Sequence, residues 1–297
     1  MSIDYDLHSH SRASDGTLTP TELVRRARAQ GVGALALTDH DVTDGLAEAA
    51  REAAALGLQL VPGVEVSVTW NHQTVHIVGL NIDPGEPALA AGLARLQEFR
   101  QWRCEEIARR LEKRGIGGAL EGARALATGS VVSRTHFARF LVAQGRAESV
   151  RDVFKRYLVH GKPGHVPGQW APLEEAVGWI RGSGGQAVLA HPARYRLTAT
   201  RRRQLAGEFQ ECGGEGIEVV SGSHSRDDVA NMAQLARRIG LYASRGSDYH
   251  GPEQPYIELG RLPPLPEGCQ PIWESPGWGS AVCADSRAVP SPSLGLA

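Results

Sequence analysis

The chain carries the stretch Asp6-Leu7-His8-Ser9-His10, followed closely by Asp15. Residues 3–7 have the composition of a short strand, so the two histidines would stand at its carboxyl end. Side chains alternate along an extended chain, and His8 and His10 would therefore point the same way and could bind one ion. A single His-x-His pair is weak evidence for a metal site, so its meaning depends on the rest of the chain.

Histidines and acids recur where other predicted strands end. His40 follows a strand predicted over 34–38, and His191 follows one over 187–190. The carboxyl ends of the strands of a parallel α/β barrel converge at one mouth, where active sites are built. The sequence therefore predicts one metal site from nine side chains: His8, His10, Asp15, His40, Glu65, His76, His191, Asp248 and His250.

The number and type of these ligands indicate more than one ion. Imidazole and carboxylate groups together suit Zn, Mn or Fe, and nine of them suit two or three ions. Glu65 is the natural bridging ligand because a carboxylate has two oxygens. Three divalent ions would leave the site positively charged even with Asp15, Glu65 and Asp248 ionised. Such a site favours anions, and phosphate esters are the obvious class.

Each residue also has an ordinary structural interpretation. A single buried histidine is commonly a hydrogen-bonded core residue, and Glu65 alone could cap a helix. The nine residues together are much harder to explain in this way. Most of the five other histidines are expected on the surface or behind the ligands, and Asp39 is either a support for a ligand imidazole or a plain turn residue.

Composition sets broad limits on the function. The chain has 297 residues, a formal net charge of -1 and four cysteines without metal-finger spacing. We expect a reduced, cytoplasmic protein, because Asp4 and Asp6 stand where a signal peptide would carry basic residues and no apolar run reaches the ~20 residues of a membrane span. No feature indicates an obligate protein partner.

Alternating strand and helix signals predict an α/β barrel that is interrupted once. The alternation stops near residue 85 and resumes near 166, and the period between them is helical. We therefore expect a discontinuous barrel over 1–84 and 166–283, a helical insertion over 85–165 and a disordered tail over 284–297. The insertion has 15 Lys and Arg residues but only eight Asp and Glu residues. It would attract polyanions, or it is an ordinary solvated helical surface.

These motifs resemble the PHP (polymerase and histidinol phosphatase) superfamily over residues 3–260. The similar segments are residues 6–10 with 15–16, 37–41, 62–65, 76–79, 190–192 and 246–250. The resemblance implies a distorted (β/α)7 TIM-like barrel that holds a trinuclear metal site. It assigns one ion to His8, His10, Glu65 and Asp248, a second to Glu65, His76 and His191, and a third to Asp15, His40 and His250.

Within the superfamily, the chain is similar to the branch of nucleoside 3′,5′-bisphosphate phosphatases and 5′-3′ exoribonucleases. The resemblance implies catalysis by Arg194, His191 and Asp248, and substrate binding by Arg134, His136, Lys162 and Arg194. Solvent-exposed cations and an insertion-core histidine are the alternatives for the last set. Arg245 departs from the pattern, since a small or apolar residue is expected there, and it could pair with a carboxylate or contact the substrate.

We therefore expect a phosphoesterase that uses two or three divalent ions, with Mn favoured over Fe or Zn. Its substrate would be a nucleoside 3′,5′-bisphosphate, such as 3′-phosphoadenosine 5′-phosphate, or the 5′ end of a short RNA. A histidinol-phosphatase-like phosphomonoesterase is one alternative. A non-catalytic module that binds nucleic acid or a polymerase is the other, and it predicts gaps in the ligand set that the sequence does not have.

Overall fold

Seven strands form the framework of the molecule. The computed structural model describes residues 3–127 and 129–279, so the tail predicted over 284–297 lies outside the described residues. The strands are Tyr5–Asp6 (β1), Ala34–Leu37 (β2), Gln59–Trp70 (β3), Gln73–Leu80 (β4), Gln186–Leu189 (β5), Gly216–Ser221 (β6) and Tyr242–Gly246 (β7).

The strands follow one another around the sheet in chain order, and backbone hydrogen bonds bring its first and last strands together. The backbone N–H of Leu7 donates to the carbonyl of Arg245 at 3.0 Å, and that of Asp248 donates to the carbonyl of His8 at 2.9 Å. These bonds join the end of β1 to β7, and the predicted seven-stranded barrel is confirmed.

One hairpin is antiparallel, whereas the alternation of strands and helices predicts parallel strands throughout the barrel. Strands β3 and β4 pair antiparallel along their length, and β4 also pairs antiparallel with β5. The connection between β3 and β4 is only Asn71 and His72, both with positive φ (45° and 62°). Two residues can join only antiparallel strands, because a parallel pair needs a crossover of a dozen residues or more.

Helices surround the sheet and fill the insertion. Their bounds are Pro20–Ala29 (α1), Leu46–Leu56 (α2), Pro87–Glu112 (α3), Ala119–Leu126 (α4), Arg134–Ala143 (α5), Val150–Val153 (α6), Leu173–Gly182 (α7), Ala199–Glu211 (α8) and Arg226–Ile239 (α9). The capping box predicted before α1 is present: the Thr19 side chain accepts from the N–H of Glu22, whose carboxylate accepts from the N–H of Thr19. Within the described residues, no helix is long and apolar enough to cross a bilayer.

The helices between β4 and β5 have a hydrophobic core of their own. Ile107, Leu111, Phe137 and Leu141 belong to a buried cluster that is separate from the one shared by the sheet and the outer helices. A third cluster, which includes Leu7 and Ile272, fills the barrel interior. The separate core supports treating residues 85–165 as a unit, which we propose as the second domain.

Shortening Phe137 should destabilise this helical unit. The Phe137 side chain is fully buried, so Phe137→Ala should lower the free energy of unfolding by about 3–5 kcal/mol, from lost transfer energy and the cavity left behind. Urea unfolding followed by circular dichroism measures the change. Leu126→Ala is the control, because Leu126 is 42% exposed and should change stability by less than about 1 kcal/mol. Equal losses for both variants would contradict a core centred on Phe137.

Candidate metal centre

The nine predicted side chains meet at the barrel mouth, and four of them form a tight group. The Nε2 atoms of His8 and His10 lie 3.0 Å apart, and each lies 3.4 Å from Oε2 of Glu65. Oδ1 of Asp248 lies 3.2 Å from His10 and 3.5 Å from His8. Two nitrogens and two carboxylates within these distances match the first ligand set that the resemblance implies.

Two further groups adjoin the first. Oε1 of Glu65 lies 2.9 Å from Nδ1 of His76 and 2.9 Å from Nε2 of His191. Oδ1 of Asp15 lies 3.3 Å from Nε2 of His250 and 3.9 Å from Nε2 of His40.

His40 stands between these two groups. Its Nδ1 atom lies 2.8 Å from Oε2 of Glu65, while its Nε2 atom faces Asp15. One set of close ligand atoms therefore includes His40 with Glu65 and His76, and another includes it with His10, Asp15 and His250.

The unused ligand atoms fit divalent ions. His40 Nδ1 and Glu65 Oε2 are close, yet both are buried without a hydrogen bond, and so is Asp15 Oδ1. Buried polar atoms nearly always have a partner, so close atoms with unused lone pairs indicate a common ligand between them. Imidazole nitrogens and carboxylate oxygens at these spacings are suitable donors for Zn, Mn or Fe.

Glu218, a residue that the sequence reasoning missed, orients two of the ligands. The His8 Nδ1–H donates to Oε1 of Glu218 at 2.6 Å, and the backbone N–H of His191 donates to Oε2 at 2.6 Å. A proton on Nδ1 leaves the Nε2 lone pair of His8 facing the other ligands. A carboxylate behind a ligand histidine commonly fixes its tautomer in this way.

Two ligands lie on strained backbone. His191 has φ 28° and Asp248 has φ 56°, a region that costs residues other than glycine about 1–3 kcal/mol. The bond from His191 to Glu218 and that from the Asp248 N–H to the His8 carbonyl hold both residues in place.

Burial keeps the imidazoles of His10 and His76 neutral, whereas neighbouring carboxylates outweigh burial and raise the pKa of His8, His40 and His250. Burial, assisted by His250, lowers the pKa of His10 to about 3, and burial lowers the pKa of His76 to about 4. Burial acts in the opposite direction on Glu65, but the neighbouring His76 and His40 outweigh it and hold its pKa well below the usual value. Neutral imidazole and ionised carboxylate are the forms that bind metals.

A cavity of about 200 Å³ lies directly over these groups. Arg100, Arg103, Arg134 and Arg194 line its walls together with the aromatic rings of Phe154 and Trp170. An Arg100 nitrogen lies 2.6 Å from a carboxylate oxygen of Asp41. Within the described residues, the half-buried Arg134 guanidinium makes no hydrogen bond or ion pair and lies 5.5 Å from the centroid of the Phe154 ring, so its N–H groups are free to bind an anionic ligand.

Two of the four residues predicted to bind substrate line the cavity, and the other two do not. Arg134 and Arg194 line the cavity, and Arg194 pairs with Asp248. His136 is buried, and its Nδ1 accepts from the N–H of Ser133 at 3.0 Å, which caps α5. Lys162 lies on an exposed turn and is not part of the cavity wall.

The structure shows the contacts of Asp39 and Arg245, for which the sequence leaves alternatives open. Asp39 accepts hydrogen bonds from the hydroxyls of Ser11 (2.6 Å) and Ser14 (2.5 Å) and from the Ser11 N–H (2.8 Å), so it holds the loop after β1. It therefore acts as a turn residue. Arg245 pairs with the carboxylate of Asp4 at 2.8 Å, as one of the expectations for it required.

The sequence contained signals for the residues that were missed. Leu96 and Ile107 mark the buried face of α3, and Arg100 and Arg103 occupy buried positions of that same face. Arginines at such positions are rarely buried without a functional or structural partner. Glu218 is similarly a lone carboxylate inside the apolar strand β6.

A closed seven-stranded barrel with clustered metal-ligand groups at its mouth defines a class of metal-dependent barrel proteins. The PHP domain model matches residues 6–165 of the chain. The chain belongs to the PHP family.

Two known proteins and one solved structure are similar over nearly the whole chain. The 3′,5′-nucleoside bisphosphate phosphatase of Chromobacterium violaceum is 55% identical over 269 residues, which cover 90% of this chain and 94% of that protein. The 5′-3′ exoribonuclease Rnm of Escherichia coli is 50% identical over 274 residues, which cover 92% and 93%. A solved amidohydrolase structure from Chromobacterium violaceum, with bound sulfate and no metal, is 54% identical with a TM-score of 0.88 and covers 91% and 95%.

Replacing Glu218 should weaken metal binding. Glu218→Gln removes the charged acceptor behind His8, and loss of such a partner typically costs 10–100-fold in metal affinity, so a rise of about that size is expected in the dissociation constant for Mn²⁺. Isothermal titration calorimetry on metal-stripped protein measures it. Glu215→Gln, three residues earlier in the chain, is the matched control and should bind as the unmodified protein does. A Glu218→Gln variant with unchanged affinity would refute the orienting role.

Proposed function

We propose that the protein is a metal-dependent phosphoesterase. It would remove the 3′ phosphate of nucleoside 3′,5′-bisphosphates, such as 3′-phosphoadenosine 5′-phosphate, or cleave short RNA from its 5′ end. The proposal rests on one observation: an arginine-lined cavity lies directly over the clustered His, Asp and Glu side chains. The two activities named for the similar proteins are consistent with one such site.

The nine clustered side chains would hold two or three divalent ions, with Mn favoured and Fe or Zn as alternatives. Ions held there would neutralise phosphate oxygens and make water a better nucleophile near neutral pH. The chain contributes six imidazoles, three carboxylates and the support of Glu218, all held in place by the fold before substrate arrives. Such preorganisation lowers the reorganisation cost of the reaction.

Arg194 would stabilise the reacting phosphoryl group. It lies on the cavity wall and pairs with Asp248, so its guanidinium is held beside the proposed ion sites. In the hydrolysis, the oxygen of a water molecule forms the new bond to phosphorus, and the bond from phosphorus to the 3′ oxygen breaks. Negative charge that develops on the phosphoryl oxygens would be met by Arg194.

The second phosphate of the substrate would bind on the wall formed by the insertion. Within the described residues, Arg134 lies over the Phe154 ring but pairs with no carboxylate, and two nitrogens of Arg103 donate to the Val166 carbonyl. Burial, with Arg134 and Arg100 nearby, lowers the pKa of Arg103 to about 9, which reflects the cost of crowding these cations together. A 5′ phosphate between them would offset that cost.

We infer a cytoplasmic location from the proposed substrates, which are intracellular nucleotides and RNA. Cys104, Cys212 and Cys269 are free thiols, which is compatible with a reducing compartment.

The proposed activity can be tested with three substrates. With Mn²⁺ present, we expect hydrolysis of a nucleoside 3′,5′-bisphosphate and of 5′-phosphorylated dinucleotides, and much slower hydrolysis of a nucleoside 5′-monophosphate, because the site acts on the 3′ ester and uses the 5′ phosphate for binding. Phosphate release and chromatography measure the products.

Metal analysis and two further substrates complete this test. Chelation should abolish turnover, and metal-replete protein should hold two or three ions per chain. Fewer than two ions, or equal rates on a nucleoside 3′-monophosphate and the bisphosphate, would contradict the proposal. Preferential hydrolysis of histidinol phosphate would instead favour that alternative.

Replacing Arg134 should selectively weaken binding of the 5′ phosphate. Loss of a hydrogen bond to a charged group costs about 1.5–3 kcal/mol, so Arg134→Ala should reduce kcat/KM for the bisphosphate by roughly 10–100-fold, mainly through KM. Activity on a nucleoside 3′-monophosphate, which lacks the 5′ phosphate, should stay unchanged. Arg151→Ala, an exposed arginine of α6, is the control. Equal losses on both substrates would show that Arg134 does not bind the 5′ phosphate.

A further inference from the structure

We propose that the arginines beyond Arg194, on the loop before α8 and on the first turns of that helix, bind RNA on the 3′ side of the cleaved linkage. The residues are Arg196, Arg201 and Arg203, which we call the exit arginines. The proposal rests on the proposed function and extends it, because it assigns a separate surface to the part of an RNA that a mononucleotide lacks.

The loop that begins at Arg194 exposes its arginine side chains to solvent. Tyr195 is turned toward the metal centre, where its hydroxyl accepts from the His76 N–H at 2.8 Å. The backbone at Tyr195 is extended (φ -73°, ψ 135°), so the side chains on either side of it leave from the opposite face. Arg194 and Arg196 are both exposed there. A basic surface therefore begins at the cavity wall and continues along the loop.

Helix α8 continues this surface. Arg201 and Arg203 are exposed in its first turns, and Arg202 fixes the loop by donating to the carbonyls of Pro192 (3.1 Å) and Leu197 (3.4 Å). A groove of about 160 Å³ lies between α8 and α9. Its lining includes Arg203 and Arg238, with no carboxylate among the lining residues.

The charges of the exit arginines are not neutralised by the protein. Across residues 3–127 and 129–279, no carboxylate forms an ion pair with Arg196, Arg201 or Arg203. Arg201, in the first turn of α8, also opposes the helix dipole, so its charge does not stabilise the helix. Unpaired arginines along one path are typical of a surface that follows a phosphate backbone.

The position of the 5′-phosphate site sets the direction of the chain. The insertion meets the mouth beside β1 and β2: the Thr135 hydroxyl contacts Asp15 at 3.0 Å, and Arg100 pairs with Asp41. Arg194 follows β5 and pairs with Asp248 beyond β7, across the mouth. An RNA held by its 5′ phosphate at the insertion would cross the metal centre and leave past Arg194 toward α8. A nucleoside bisphosphate would extend only from the insertion to the metal centre and would not reach the exit arginines.

The test compares an RNA with a mononucleotide. The variant is Arg196→Glu/Arg201→Glu/Arg203→Glu, and the control with the same charge change is Arg28→Glu/Arg51→Glu/Arg114→Glu, at exposed positions of other helices and turns. Fluorescence anisotropy with chelator present, so that no cleavage occurs, follows binding of a 5′-phosphorylated RNA hexamer labelled at its 3′ end. Turnover of a nucleoside 3′,5′-bisphosphate is measured separately with Mn²⁺.

We expect the exit variant to bind the hexamer at least about tenfold more weakly than the control, with the salt dependence of binding reduced by about 2 in log–log slope, or roughly 0.7 for each lost phosphate contact. Bisphosphate turnover should match that of the control. Hexamer binding equal to the control would overturn the proposal, as would parallel losses on hexamer and bisphosphate. If the unmodified protein hydrolyses neither substrate but the hexamer result holds, the proposed function fails and the RNA surface stands.

Discussion

The structure depends on one buried carboxylate. Glu65 is fully buried in β3, and imidazoles that lie on or just after four other strands approach its two oxygens. They are His8, His10, His40, His76 and His191. An isolated carboxylate in this position would be very costly, so closure of the barrel and assembly of the charged centre are a single constraint. The ligand spacing is therefore a property of the barrel closure rather than of any one loop.

Much of this arrangement could be predicted from the sequence, because it is encoded locally. His-x-His after a short strand, acids after apolar runs and the capping box at Thr19 are short-range patterns, and the barrel and the gathering of the nine side chains followed from them. The β3–β4 hairpin was missed because apolar runs look alike in parallel and antiparallel strands. Its two-residue turn was the feature that decides the pairing.

Residues that act through other residues were harder to predict. Glu218 contacts His8 across 210 positions of sequence, and only the closed barrel shows that contact. Arg100 and Arg103 belong to a helix whose periodicity was correctly predicted, but their burial depends on how the insertion packs over the mouth. His136 shows the converse situation: a histidine in a basic segment is predicted to bind phosphate, and the structure shows its Nδ1 accepting from the Ser133 N–H at the start of α5.

The short β3–β4 turn also bears on the order in which the centre can be built during synthesis. Glu65 and His76 are separated by eleven positions and belong to a local hairpin, whose closure carries little entropic cost. The bonds from β1 to β7 join residues more than 200 positions apart and must wait until most of the chain has left the ribosome. The nascent protein can therefore carry a two-ligand fragment of its metal centre long before the remaining ligands are available to complete it.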